Sequence, residues 1–521
     1  MENTRTSRSI INSSVAMITQ IITLILQFVM QTIFIHTLGA TYLGINGLFT
    51  NVLSILSFAE LGIGNAITYS LYKPLAVNDK AKIQLLMNFF RKAYNTIGLI
   101  ILVLGLIFTP FIRVLIKGAD NVNDLHLYFI LFLLNSVVSY FFSYKRTLLI
   151  ADQKGYLSTL NIFYFKLAQS ILQIIFLLET HNFFIYLIVQ IIFTLLSNIR
   201  ISIVANKLFP FLKEKTVEKL SKEDFNKIKM STLGLIGSQI GAIVVTNTNN
   251  LLISAFVGVF FTGIYSSYML IQQGVRQVIN QAMDAIIASL GNLATENNRD
   301  KIYRIYNQHL FLSWSISFFC SIYFITLFNP FVSIWLGKKY LFSMDIVFLI
   351  VLNFYIGQNR KTPLSFINSQ GLFVKAGVKS ICEAVLNLIV CFILLIPLKL
   401  GIVGVLLGTT TVNIILNIWF EPWLVFREGL LRKIDFSYFL IYISRFLYTF
   451  VVGGIIYFIA DQIEASLFIT LVTKFIVVTV LTTLIYWITF RKDPKFSIIT
   501  NIIRKTFEII KIKISKLYNN K

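Results

Sequence analysis

Apolar stretches of about 18 residues or more recur from one end of this 521-residue chain to the other. Each is long enough to cross the ~30 Å hydrocarbon core of a bilayer as a helix. Composition agrees, because 56% of the residues are hydrophobic and only 13% are charged, whereas a soluble protein carries roughly 25% charged residues. The sequence therefore predicts an all-α integral membrane protein that crosses the bilayer many times.

About fourteen transmembrane helices are predicted, and the charge distribution orients them. With these spans, 37 of the 46 Lys and Arg residues fall on the side of the N-terminus and five on the opposite side. Because positive charge accumulates in cytoplasmic loops, we expect both termini to be cytoplasmic. The net charge of +23 needs no nucleic-acid partner, since topology and an anionic inner leaflet account for it. The predicted spans are 10–36, 42–71, 93–116, 125–150, 156–178, 183–206, 231–257, 262–290, 305–336, 343–367, 376–397, 402–426, 436–460 and 466–490.

The longest predicted inner loop divides the chain into two lobes. An N-lobe of spans 1–6 covers 1–206, a cytoplasmic linker follows at 207–230, and a C-lobe of spans 7–12 covers 231–426. Spans 13 and 14 lie within 427–490, and a basic amphipathic tail occupies 491–521. The apolar face of that tail is typical of a helix lying on the inner leaflet. A soluble partner-binding tail is the alternative interpretation.

Sequence signatures of catalysis are missing. There is no G-x-x-x-x-G-K-[ST] motif for an ATP-driven motor and no Ser/His/Asp constellation, and the four histidines are scattered. The three cysteines lie in apolar segments without metal-type spacing. We therefore predict that the protein is not an enzyme and that it holds no metal and no cofactor.

An internal repeat links the two predicted lobes. Residues 38–83 align without gaps to residues 257–302, and ten of the 46 positions are identical, including Gly44 with Gly263. Six spans separate equivalent positions, so both copies have the same orientation in the membrane. Transporters built from parallel repeats bind substrate near the bilayer midplane, between the halves.

Polar side chains share helical faces in spans one, two, seven and eight. Arg276 and Asn280 are four residues apart on span eight, and a guanidinium there would offer a bidentate fork to phosphate oxygens. Each single amide has the alternative role of joining helices through hydrogen bonds, but for the whole set we favour a shared wet cavity. The predicted substrate-binding residues are Arg276, Asn280, Gln20, Gln27, Gln31, Gln239 and Asn250.

Two acidic residues within predicted spans need an explanation, because an ionised side chain in hydrocarbon costs at least ~2.5 kcal/mol. In one hypothesis Glu60 pairs with a cation or caps backbone and holds the inward-closed state. In the other, Glu60 takes up H⁺ or Na⁺ on one side and releases it on the other, with Asp284 as the next candidate. Lys166 is also deep in a span, and a shift of 217 positions aligns it with Glu383.

The segment 34–76, which contains "LGATYLG" and "ELGIGNAI", resembles the Wzx-type polysaccharide flippases of the MOP superfamily, which also contains the MATE exporters and the lipid II flippase. The resemblance implies a MATE-like fold with two six-helix lobes in a V and a cationic central cavity. It also implies translocation of an undecaprenyl-diphosphate-linked oligosaccharide across a bacterial plasma membrane. A polysaccharide polymerase and glycosyltransferases would then be functional partners.

Two other functions remain open. A MATE-like, ion-coupled exporter of small molecules would have the same architecture. A membrane polymerase or ligase acting on the same lipid would need a sizeable outer loop with catalytic residues, and the predicted outer loops, such as "HTLGAT" and "ADQIEA", are short.

Overall fold

The computed structural model describes residues 5–57, 60–119, 122, 124–213, 220–222, 225–226, 228–230, 247–294, 299–463 and 466–496. The regular structure within these ranges is helical throughout. The first eight helices are α1 (Arg5–Thr37), α2 (Gly39–Leu56), α3 (Glu60–Ala76), α4 (Lys80–Phe108), α5 (Leu125–Ser143), α6 (Lys145–Ala151), α7 (Gly155–Thr180) and α8 (Phe183–Leu208).

The remaining helices are interrupted more often. They are α9 (Val259–Ala294), α10 (Arg299–Trp335), α11 (Met344–Asn359), α12 (Lys361–Ser369), α13 (Phe373–Leu395), α14 (Gly401–Val412), α15 (Ile418–Leu424), α16 (Phe436–Asp461) and α17 (Leu467–Phe490). Single π-helical turns occupy Ile253–Val257, Asn413–Asn417 and Val425–Gly429. Such turns insert one extra residue and are frequent at functional sites.

The prediction of an all-α integral membrane protein is confirmed. Within the described residues, nine helices are long and apolar enough to cross a bilayer, and the bent pair α5 and α6 makes a tenth candidate. Three predicted spans are not continuous helices, because 42–71 is interrupted at Ser57, 125–150 at Tyr144 and 343–367 at Arg360. The total of fourteen spans stays a prediction, since most of 231–257 lies outside the described residues.

The chain divides into two compact units. The first comprises 1–274 and 373–408, and the second comprises 275–372 and 409–521. In the first unit α1 packs against α7, α5 against α8 and α7 against α8. The aromatic ring of Phe183 packs against three other rings at one end of this bundle. Its centroid lies 5.0 Å from the ring centroid of Tyr128, 5.3 Å from that of Tyr42 and 5.7 Å from that of Phe34. The predicted lobes 1–206 and 231–426 stay a prediction.

In the second unit the 37-residue helix α10 packs against α11, α16 and α17. Trp314, on α10, is fully buried, and its indole Nε1 donates to Thr449 Oγ1 at 3.3 Å. The Arg445 guanidinium lies over the Trp314 ring, 5.0 Å from its centroid. Lys474 lies 3.5 Å from the Asp461 carboxylate. Both of these cations within predicted spans are therefore held by neighbouring side chains.

Two glycines that the repeat relates make a reciprocal contact in the first unit. A Cβ atom on Gly44 would lie 2.0 Å from the carbonyl oxygen of Val259, and a Cβ on Gly263 would lie 2.0 Å from that of Ala40. Val259 and Ala40 are themselves related by the 219-residue offset of the repeat. In a two-fold arrangement, when two residues touch, their two counterparts in the other repeat touch as well. The two glycine contacts follow this pattern. The repeat thus brings α2 and the start of α9 into backbone contact.

We expect Gly44→Ala to destabilise the protein by about 1–3 kcal/mol, because the added methyl meets backbone that a rotamer change cannot move. Thermal unfolding in detergent measures the effect. Gly454→Ala is the matched control, since a Cβ there meets nothing within 4 Å and helix propensity alone favours alanine. An unchanged unfolding temperature for Gly44→Ala would contradict the close contact.

Candidate functional site

Helices α2, α5, α6, α7 and α8 line two adjoining open cavities in the first unit. One has a volume of about 210 Å³ and the other about 330 Å³. They share Ser139 on α5 and Gln190 and Thr194 on α8 as lining residues, so they form one branched space. We call this space the N-terminal cavity.

Two cations line the N-terminal cavity, Arg146 from α6 and Lys166 from α7. Arg146 Nη2 donates to Asn198 Oδ1 at 2.8 Å and to Ser197 Oγ at 3.2 Å. Both acceptors are neutral, and no Asp or Glu is among the described residues that line either branch. Both cations are half-buried, so each has lost part of its hydration without a carboxylate beside it to offset that loss. An anionic ligand would offset that loss.

Several polar atoms around the cavity have capacity left for a ligand. Among the described residues, Arg146 Nε, Asn198 Nδ2 and Asn135 Oδ1 are buried and have no hydrogen-bond partner within the protein. Buried polar groups in native proteins are almost always paired. Three such atoms at the wall of one cavity therefore indicate a polar ligand or bound water there.

Local sequence explains how Arg146 reaches this position. The axis turns by 53° between α5 and α6, at Tyr144. Lys145 and Arg146 are adjacent in α6, so their side chains lie about 100° apart around the helix axis. Arg146 lines the N-terminal cavity, whereas Lys145 donates to Asn206 Oδ1 at 2.8 Å outside it. Buried Leu148 and Leu149 hold α6 against its neighbours.

Hydrogen bonds between α7 and α8 fix the other wall. Asn161 Nδ2 donates to the Ser197 carbonyl oxygen and hydroxyl, both at 2.9 Å. Gln169 Nε2 donates to Gln173 Oε1, whose own amide donates to the Tyr186 carbonyl at 2.9 Å. Because these bonds set the register of the two helices, Lys166 and the hydroxyl of Thr194 face the same space.

The structure places the predicted site residues of the first unit separately. Gln31 Nε2 donates to Ser267 Oγ at 2.7 Å, which joins α1 to α9. Gln20 and Gln27 are exposed on α1. Asn250 is half-buried, and its Oδ1 has no partner among the described residues. Gln239 lies outside the described residues.

In the second unit, Arg276 lies with its guanidinium carbon 5.6 Å from the ring centroid of Phe354 and beside the backbone of Gly357. Asn280, one turn further along α9, is half-buried. The helical backbone at Glu60 and Asp284 is described, but both side chains lie outside the description. The roles of these residues stay predictions.

Sequence reasoning missed Arg146, which lies inside the predicted span 125–150, and it left the role of Lys166 open. The proposed equivalence of Lys166 and Glu383 does not extend to their surroundings, because Glu383 forms a buried ion pair with Lys379 at 2.9 Å. A usable signal was the density of polar residues in α7 and α8. Such residues recur there on otherwise apolar helices: Gln169, Gln173, Gln190, Thr194, Ser197 and Asn198.

The sequence matches no protein-family model and no curated protein. Solved structures with a similar backbone do exist. The lipid II flippase MurJ in an inward closed conformation matches with a TM-score of 0.61 and 17% identity over 91% of this chain and 98% of that chain. An inward-facing multidrug resistance MATE family transporter matches with a TM-score of 0.60 and 17% identity over 80% of this chain and 96% of that one. The chain has the fold of the MOP superfamily transporters.

A third solved structure also has a similar backbone. A MOP superfamily transporter from Pyrococcus furiosus matches with a TM-score of 0.51 and 16% identity, over 82% of this chain and 97% of that chain. It is described as having a binding pocket of reverse polarity that suggests a different function. Identities this low show only the shared fold.

Proposed function

We propose that this protein moves an undecaprenyl-diphosphate-linked oligosaccharide repeat unit across a bacterial plasma membrane by alternating access, as a Wzx-type flippase for surface polysaccharide. The observation that supports this most is the N-terminal cavity, which presents Arg146 and Lys166 and no carboxylate among its described lining residues. The MOP fold supports transport rather than catalysis. In this proposal the protein is multi-pass, with both termini in the cytoplasm.

The two cations would bind the diphosphate. Hydrogen bonds in which both partners are charged are roughly twice as strong as neutral ones, and the guanidinium fork fits two phosphate oxygens. The hydroxyls of Ser54, Ser57 and Ser136 line the other branch of the cavity and are suited to sugar hydroxyls or phosphate oxygens. Arg276 is proposed as a further phosphate contact. Glu60 and Asp284 are proposed to couple transport to H⁺ or Na⁺.

The MATE-like exporter of small molecules is the second candidate, supported by the MATE neighbours. A drug cation would be repelled by Arg146 and Lys166, so this candidate requires a neutral or anionic cargo. The polymerase or ligase hypothesis is less favoured, because two of the predicted outer connections are short. Leu38 alone joins α1 to α2, and His181 and Asn182 join α7 to α8. Neither connection holds an extracytoplasmic catalytic domain.

Reconstitution tests the proposal. Proteoliposomes are loaded with a fluorescent undecaprenyl-diphosphate oligosaccharide, and a membrane-impermeant quencher reports how much of it crosses between leaflets. We expect translocation above that of empty liposomes, and much slower translocation of the same oligosaccharide on an uncharged undecaprenyl ether. Equal rates for the two lipids would contradict recognition of the diphosphate. Export of small molecules without lipid translocation would favour the MATE-like alternative.

A further inference from the structure

A third cation, Arg200 on α8, lies at the edge of the N-terminal cavity. Its guanidinium carbon is 5.9 Å from the ring centroid of Phe165, which lines the cavity. Its Nη1 donates to Asn161 Oδ1 on α7 at 3.4 Å. Arg200 lines neither branch of the cavity, and its side chain is exposed. It therefore lies beside the cavity and remains open to the surroundings.

A chain of hydrogen bonds joins Arg200 to Arg146. Asn161 Nδ2 donates to Ser197 Oγ at 2.9 Å, and Arg146 Nη2 donates to the same hydroxyl oxygen at 3.2 Å. Arg200 donates to the other end of the Asn161 amide. The exposed guanidinium and the half-buried one are therefore connected through two neutral side chains.

Carboxylates do not neutralise these cations within the described part of the chain. None of the ion pairs found there includes Arg146, Lys166 or Arg200. A guanidinium has five N–H donors, and the contact with Asn161 uses one of those of Arg200. That contact, at 3.4 Å, is longer than the usual ~2.7–3.2 Å. Arg200 is therefore oriented by its neighbours and keeps donors for an anion.

The position of Arg200 along α8 relates the cavity to the inner leaflet. The residues of α8 that line the cavity end at Asn198, and the charge distribution of the loops predicts that the following end of the helix is the inner one. From Arg200 to the predicted end of the span at residue 206 is about 9 Å along a helix. A long arginine side chain reaches the lipid headgroups from that depth. Arg200 therefore lies between the headgroups and the cavity.

We propose that Arg200 is the entry contact for the diphosphate of the lipid-linked substrate, an inference that rests on the proposed function. Its guanidinium binds phosphate oxygens when the substrate arrives from the inner leaflet. The diphosphate then moves to Arg146 and Lys166 inside the cavity. Because Arg200 is exposed and the other two cations are half-buried, the phosphates lose their water in two steps and contact a cation at each. Arg200 thus determines how readily substrate is captured.

The test measures the translocation rate in phosphatidylcholine proteoliposomes against the amount of fluorescent undecaprenyl-diphosphate oligosaccharide. For Arg200→Gln we expect half-maximal translocation to need about tenfold more substrate, because one charged hydrogen-bonding contact is lost, and the maximal rate to stay within about twofold. Arg200→Lys should fall in between, since it keeps the charge but not the fork. Lys207→Gln is the matched control. It removes another exposed cation of α8 that lines neither branch of the cavity, and its half-saturation should not change.

Two results with these variants would overturn the inference. One is an Arg200→Gln variant with the same half-saturation as the Lys207→Gln control. The other is a loss of maximal rate together with a lower unfolding temperature in detergent, which would assign Arg200 a structural role between α7 and α8.

Added phosphatidylglycerol tests the source of the phosphate. If it raises the half-saturation of the unaltered protein but not that of Arg200→Gln, an ordinary anionic phospholipid occupies the site and the inference is overturned. An equal response of both proteins supports a site for the diphosphate. Failure of the unaltered protein to translocate any diphosphate-linked lipid would overturn the proposed function itself, whereas normal translocation by every variant overturns the entry contact alone.

Discussion

The double variant Arg146→Gln/Lys166→Met is expected to translocate a diphosphate-linked oligosaccharide at least about 100-fold more slowly than the unaltered protein. Hydrogen bonds to charged groups contribute about 1.5–3 kcal/mol each, and every 1.4 kcal/mol is roughly a tenfold change in affinity. The reconstituted quencher assay measures this rate. Lys207→Gln is the matched control, because this exposed cation on α8 is not a lining residue of the N-terminal cavity, and it should stay within about twofold of normal.

The same double variant separates a binding role from a structural one. Replacing half-buried cations by neutral side chains removes a desolvation penalty, so the unfolding temperature in detergent should stay unchanged or rise. At a binding site whose charges are paired only when the ligand is present, a substitution that removes those charges is expected to stabilise the protein and to impair its function. A variant that is stable and transports at the normal rate would show that the two cations do not bind the diphosphate. A variant that unfolds would assign them a structural role.

Removing one partner of the Arg360–Glu421 pair is expected to destabilise the protein by about 3–5 kcal/mol, because the remaining partner loses the attraction that offsets its desolvation. Glu421 is fully buried, and its two carboxylate oxygens accept from Arg360 Nη2 at 2.6 Å and Nε at 3.0 Å. Arg360 Nη1 donates in addition to Asn413 Oδ1 at 2.7 Å. Glu421→Gln is therefore predicted to lower the unfolding temperature strongly, as measured by thermal unfolding in detergent.

Two further variants check the mechanism of this effect. Arg360→Met/Glu421→Met replaces both charges and should recover much of the lost stability, since buried pairs exchanged for apolar residues are often neutral. Glu428→Gln removes a carboxylate 3.7 Å from the exposed guanidinium of Arg427, where a pair contributes only about 0–1 kcal/mol. If Glu421→Gln is no more destabilising than Glu428→Gln, the buried pair does not stabilise the second unit.

The Arg360 network depends on irregular helix geometry. Arg360 lies at the junction of α11 and α12, and Asn413 begins the π-helical turn Asn413–Asn417. Asn417 Nδ2 donates to Asn413 Oδ1 at 2.8 Å, so the amide oxygen that Arg360 uses is held in place. Neither irregularity has a clear sequence signature. Hydropathy therefore predicts two continuous spans here and misses the buried ion pair between them.

Hydropathy and periodicity determined the fold class of this protein. An apolar run of sufficient length forms a helix in hydrocarbon because its backbone polar groups have no other partners there, and this property is local to each segment. The internal repeat was also visible, because an offset of 219 residues places Gly44 on Gly263. The structure adds the reciprocal backbone contact between the two copies.

Only the tertiary structure showed which polar faces meet. Neither Arg146 nor Lys166 had an assigned role, yet a bend at Tyr144 and the register of α7 against α8 bring both to one cavity. Glu383 is equally polar in the sequence but pairs with Lys379 on its own helix. A hydropathy profile records how much a side chain costs to bury. Contacts between helices far apart in the sequence decide whether a neighbouring side chain offsets that cost or whether the polar group stays available to bind a ligand.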